Sequence, residues 1–127
     1  MLEVWGKSSV RWTLFWLVSA VVLYAMFRPI PPESLFDHSD KVGHILAFMI
    51  LSLSGRMALF MLPKVGFWLP MLLAAVVLEY LQGEIRPLRS FSMGDIYANL
   101  TGVLVALIML EWFLRDALRA LQLRKGV

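Results

Sequence analysis

The chain has 127 residues, 60% of them apolar and only 17% charged, with no cysteine; soluble domains run at about 45–50% apolar and about 25% charged, so a water-soluble globule is excluded. A mean hydropathy of +0.74 excludes a disordered chain, and the missing thiol excludes disulfides, thiolate metal sites and cysteine catalysis. The net charge of +3 is small and its basic residues flank apolar runs, which excludes a nucleic-acid surface despite a pI near 9.6.

Four apolar segments follow in chain order, and each is long enough to span a hydrocarbon core at about 1.5 Å per residue. The first covers residues 11–27 and stops at Arg28-Pro29. Its apolar stretch exceeds a typical signal-peptide core and no A-x-A cleavage pattern follows, so it reads as a retained helix. The second, residues 42–62, is interrupted by Arg56 and ends at Pro63-Lys64. The third, residues 66–82, contains Pro70 and Glu79, and the fourth covers residues 96–114. The expected fold is all-α: a polytopic membrane protein of four transmembrane helices, folded as a single membrane domain over residues 1–127.

Four crossings bring both termini to one side. That side would carry Lys7, Arg11, Arg56, Lys64, Arg115, Arg119, Arg124 and Lys125, against Arg28, Lys41, Arg86 and Arg89 on the other. The excess of basic residues predicts both termini in the cytoplasm. Arg56, near the end of its helix, would snorkel to the cytoplasmic interface. The five Trp would mark that interface, and Tyr24, Tyr80 and Tyr97 the outer one.

Polar residues collect at the outer ends of three segments. The second opens with Asp40-Lys41 and carries His44; the third finishes with Glu79 and Gln82; the fourth opens with Asp95 and carries Asn99. Spacings of three or four place each group on one helical face. Helical rise puts His44 and Asn99 about 5 Å, and Glu79 about 10 Å, inside the outer boundary. A carboxylate facing lipid there would cost about 1–3 kcal/mol, so the faces should turn inward and share partners. Arg86 and Arg89, in the connection at 83–94, could fold over the carboxylates. The expectation is an outward-facing polar pocket made by Asp40, Lys41, His44, Glu79, Gln82, Arg89, Asp95 and Asn99.

Plainer roles compete for several of these. Ser92-Met93-Gly94-Asp95 is a capping-box pattern, His44 could be an interhelical hydrogen bonder, and Asn99 could be helix–helix glue. Ala98, Gly102 and Ala106 form a small-xxx-small row suited to close helix packing. Glu79 follows an apolar run with no capping role and points most strongly to function. No phosphate loop, G-x-S-x-G or H-E-x-x-H is present. His38 and His44 are the only histidines, which excludes a multi-histidine metal site. A hard cation on Asp40, Glu79, Asp95 and Asn99 is conceivable, but no ligand spacing demands it, so neither a metal nor a cofactor is expected. A Glu79–His44 acid/base pair acting on a lipid-linked phosphate or head group, and a small oligomeric transporter, are the alternatives to a binding pocket.

The order Asp40-Lys41-x-x-His44, Glu79-x-x-Gln82, then Arg89-Ser90-Phe91-Ser92-x-x-Asp95-x-x-x-Asn99-x-x-Gly102 resembles the VanZ-like family of small bacterial membrane proteins. The resemblance implies a multi-pass protein of the bacterial cytoplasmic membrane, with membrane lipid as its surroundings. Through the family's association with teicoplanin resistance, it also implies a lipoglycopeptide or a lipid-linked cell-wall precursor as partner. It supplies no reaction, so these residues are a signature and not a catalytic set.

Overall fold

The computed structural model describes residues 7–29, 33–86, 91–113 and 115–125. Its helices are α1 (Ser8–Phe27), α2 (Ser39–Ala58), α3 (Lys64–Ile85) and α4 (Met93–Ile108), then a π-helical turn (Met109–Phe113) and α5 (Arg115–Lys125). Contacts between helix ends give an up-down-up-down order. The C-termini of α1 and α3 meet the N-termini of α2 and α4 at one end, called the upper end below.

Three stretches are long and apolar enough to cross a membrane: Ser8–Phe27, Lys64–Ile85 and Met93–Trp112. The last runs from α4 through the π-helical turn without a break. Helix α2 has 20 residues but carries Asp40, Lys41, His44 and Arg56. Large apolar side chains remain exposed around the bundle, among them Leu17 and Val21 on α1, Leu73 and Val77 on α3, and Leu104 and Ile108 on α4. Soluble monomers rarely expose contiguous apolar patches beyond a few hundred Å², so this surface suits lipid. The hydroxyls within it turn back on their own helices: Ser19 Oγ donates to the Phe15 carbonyl at 2.8 Å and Thr101 Oγ1 to Tyr97 at 2.7 Å.

The helix limits depart from expectation where polar side chains act on the termini. Helix α2 starts at Ser39 instead of 42, directly after His38, whose φ of 61° turns the chain in the left-handed region. It stops at Ala58 instead of 62, because Arg56 Nη1 takes the carbonyls of Leu59 (3.4 Å) and Leu62 (2.8 Å) into a turn. Helix α4 starts at Met93 instead of 96, with Ser92 as its N-cap: Ser92 Oγ accepts the Asp95 N–H at 3.3 Å. Helix α5 was not foreseen, since residues 115–125 lack an apolar run and read only as a basic flank.

The core joins Met26 of α1, Phe48 and Leu51 of α2, Phe67 and Ala75 of α3, and Val103 and Ala106 of α4. Its tightest seam lies between α2 and α4. A Cβ on Gly102 would overlap the Ile45 carbonyl oxygen and stand 2.9 Å from Met49 N and 3.1 Å from Phe48 Cβ. Those are mostly backbone atoms, which cannot step aside as a side chain can. Together with buried Ala98 and Ala106, Gly102 brings α4 to backbone distance of α2. That closeness sets the reach available to every side chain above it.

Candidate functional site

One turn from the N-terminus of α2 and one from that of α4, four side chains link the two helices. Lys41 Nζ donates to Asp95 Oδ1 at 3.1 Å and lies 3.6 Å from Asp40. His44 Nε2 is 3.6 Å from Asp95 Oδ2, and His44 Nδ1 is 2.7 Å from Asn99 Oδ1. Asn99 Nδ2 continues to α3, donating to the Ala75 carbonyl at 3.0 Å. Asn99 is 0% exposed and Asp95 2%. An unpaired carboxylate at that burial would be costly; the Lys41 ammonium, half in contact with the surface, supplies the opposite charge.

Glu79 enters from α3 by way of the α4 cap. A capping box would use the Asp95 carboxylate to accept the Ser92 N–H. Here that N–H goes to Glu79 Oε1 at 3.3 Å, and only half of the box forms. Asp95 is thereby left to Lys41 and His44. Gly83, one turn beyond Glu79, makes the arrangement possible: a Cβ there would stand 2.9 Å from Phe91 N, so the chain re-enters α4 directly across the face that Glu79 shares. Glu79 is 0% exposed. One ligand-capable atom from each of His44, Glu79 and Asp95 lies within 4.8 Å of the others.

The structure thus gathers Asp40, Lys41, His44, Glu79, Asp95 and Asn99. Their side chains pack on one another, and the network reaches the surface at Lys41 and Asp40. Gln82 serves a different purpose. Its Nε2 donates to the Met26 carbonyl at 2.7 Å, and Arg86 Nη1 donates to the same oxygen at 3.3 Å. Two donors on a C-terminal carbonyl of α1 satisfy a group that the helix itself leaves open. Arg89 lies outside the described residues.

The sequence reading missed a second polar cluster at the lower end. Arg56 does not snorkel out: it is buried, and its Nε donates to Glu111 Oε1 at 2.9 Å. Trp68 Nε1 donates to the same oxygen at 3.0 Å, so Trp68 is a buried hydrogen-bond donor and not part of an interfacial belt. Lys64 Nζ lies 3.6 Å from Glu111 Oε2. Glu111 belongs to the π-helical turn, a wider winding that redirects side chains and is over-represented at special sites. Arg11, expected at a wet flank, is buried with its guanidinium 4.8 Å from the centre of the Phe60 ring. Glu111 offered a readable signal, a lone acid in an apolar run, which is the feature that singled out Glu79. No family model, curated protein or solved structure matches the chain.

Proposed function

We propose that the chain is a VanZ-like, four-span protein of a bacterial cytoplasmic membrane, with both termini inside, that engages the polar head of an amphiphile at the outer leaflet. The observation that carries this reading is the investment of three helices in one level of charged and polar groups: Lys41 and His44 from α2, Glu79 from α3, Asp95 and Asn99 from α4. Ionisable groups at membrane depth are costly, and their collection at one end is what a binding site requires.

Helix α2 completes the bundle as the fourth span. Its exposed Val42, Leu46 and Ile50 recur at a four-residue interval and present an apolar stripe, while its polar residues meet partners on α4. The lower end carries Lys7, Arg11, Arg56, Lys64, Arg115 and Arg119, and this basic excess favours the cytoplasm. Lys41 and Asp40, at the exposed edge of the network, would meet the ligand first. The resemblance to VanZ-like proteins makes teicoplanin and lipid-linked cell-wall precursors the ligands to test.

The test is binding of these amphiphiles to the full chain in lipid nanodiscs. A charge-assisted hydrogen bond contributes about 1.5–3 kcal/mol, so Asp95→Asn and Glu79→Gln should each weaken binding by about 10- to 150-fold. Both substitutions keep the side-chain shape. Wild-type affinity in both variants, or no binding by the wild type, would sink the reading.

A further inference from the structure

Asn99 settles which ring nitrogen of His44 carries a proton. Its Nδ2 is committed as donor to the Ala75 carbonyl at 3.0 Å, so its Oδ1 is the acceptor presented to His44 Nδ1 at 2.7 Å. An oxygen accepting at that distance requires a proton on Nδ1. In a neutral imidazole the lone pair is then on Nε2, which stands 3.6 Å from Asp95 Oδ2, with a Glu79 oxygen also close by. The three side chains thus bring ligand-capable atoms within 4.8 Å of one another, between α2, α3 and α4.

Each of the three side chains also has its other polar atom held by a neighbour. His44 Nδ1 is held by Asn99, Asp95 Oδ1 by Lys41, and Glu79 Oε1 by the Ser92 N–H. Metal ligands are oriented in this way, with a carbonyl or a carboxylate taking the far N–H of the histidine.

We propose that His44 (through Nε2), Glu79 and Asp95 bind a divalent transition-metal ion between α2, α3 and α4. Ligand atoms arranged tetrahedrally at about 2.0–2.2 Å from one ion stand about 3.3–3.6 Å apart, so the observed spread of up to 4.8 Å closes with side-chain shifts of about 1.2–1.5 Å in all. One imidazole and two carboxylates, with no sulfur in the set, suit zinc or manganese. Three protein ligands leave a position open for an exogenous oxygen. That this oxygen belongs to a phosphate or carboxylate of the amphiphile's head group rests on the function proposed above; metal binding itself does not.

The experiment uses the full chain, stripped with chelator and placed in nanodiscs, then titrated with Zn²⁺ and, separately, Mn²⁺. One equivalent of metal per chain is expected, with a shift of the His44 Nε2 resonance in ¹⁵N spectra on metal addition. His44→Gln and Asp95→Asn should abolish stoichiometric binding, Asn99→Leu should weaken it by about 10- to 100-fold, and His38→Gln should leave it unchanged. The spectral shift is read on the wild type, so a variant that fails to fold does not remove the test. No binding by the wild type at micromolar metal, equal binding by His44→Gln, or a His44 ring that stays protonated on both nitrogens in the presence of metal would each overturn the site. Stoichiometric metal with no effect on amphiphile affinity supports the site and overturns only its link to the head group.

Discussion

Glu111→Ala is expected to lose about 3–5 kcal/mol of folding stability, the loss typical when one partner of a buried ion pair is removed. Glu111 Oε1 accepts from both Arg56 Nε (2.9 Å) and Trp68 Nε1 (3.0 Å), so one truncation orphans a buried guanidinium and a buried indole N–H together. Arg56 would keep only the carbonyls of Leu59 and Leu62, which satisfy hydrogen bonding but do not neutralise charge. Reversible unfolding in mixed micelles measures the loss. The double variant Arg56→Met with Glu111→Leu removes both charges and should recover the part due to the orphaned guanidinium, because apolar replacements of a buried pair are often neutral, while the unpaired Trp68 N–H keeps a residual cost of about 1–3 kcal/mol. An unchanged unfolding midpoint for Glu111→Ala would mean that the pair carries no stability.

Gly102→Val is expected to cost about 3 kcal/mol, the upper end for an overpacked core, and to disturb the polar cluster as well. The added carbons would meet the Ile45 carbonyl and Met49 N, which are backbone atoms of α2, so relief comes only by moving the helices apart. Lys41, His44, Asp95 and Asn99 all bridge that same seam. Separation would therefore lengthen each bridge at once. Gly102→Val should show both a lower unfolding midpoint and a loss of binding comparable to Asp95→Asn. A variant that is destabilised yet binds normally would separate the seam from the site.

The number and order of the four long helices were legible because apolar runs of about 20 residues have few other uses. Co-location of Lys41, His44, Glu79, Asp95 and Asn99 was also legible, since polar residues in apolar helices must find one another and helical rise fixes their level. Individual pairings were not. That Ser92 gives its N–H to Glu79 depends on the close passage of Phe91 over Gly83, a tertiary contact with no local signature. Gln82 shares a face with Glu79 in sequence, yet its amide donates to the Met26 carbonyl of α1 instead. The pairing of Arg56 with Glu111 was not legible for a different reason. Arg56 near a helix end has a snorkelling option that satisfies it locally, so nothing demanded a partner 55 residues away.

The central claim is that the Lys41–Asp95–His44–Glu79 cluster lies at the outer face of a four-span protein. The chain has no cysteine, so single cysteines placed at Ser34, beside the upper end, and at Ser8 and Arg119, at the lower end, can be labelled in intact cells with a membrane-impermeant thiol reagent. Labelling at 34 alone is the predicted result. Labelling at 8 and 119 with protection at 34 would turn the cluster toward the cytoplasm, and labelling of 8 and 34 together, with or without 119, would deny that α1 crosses the membrane; either contradicts the account.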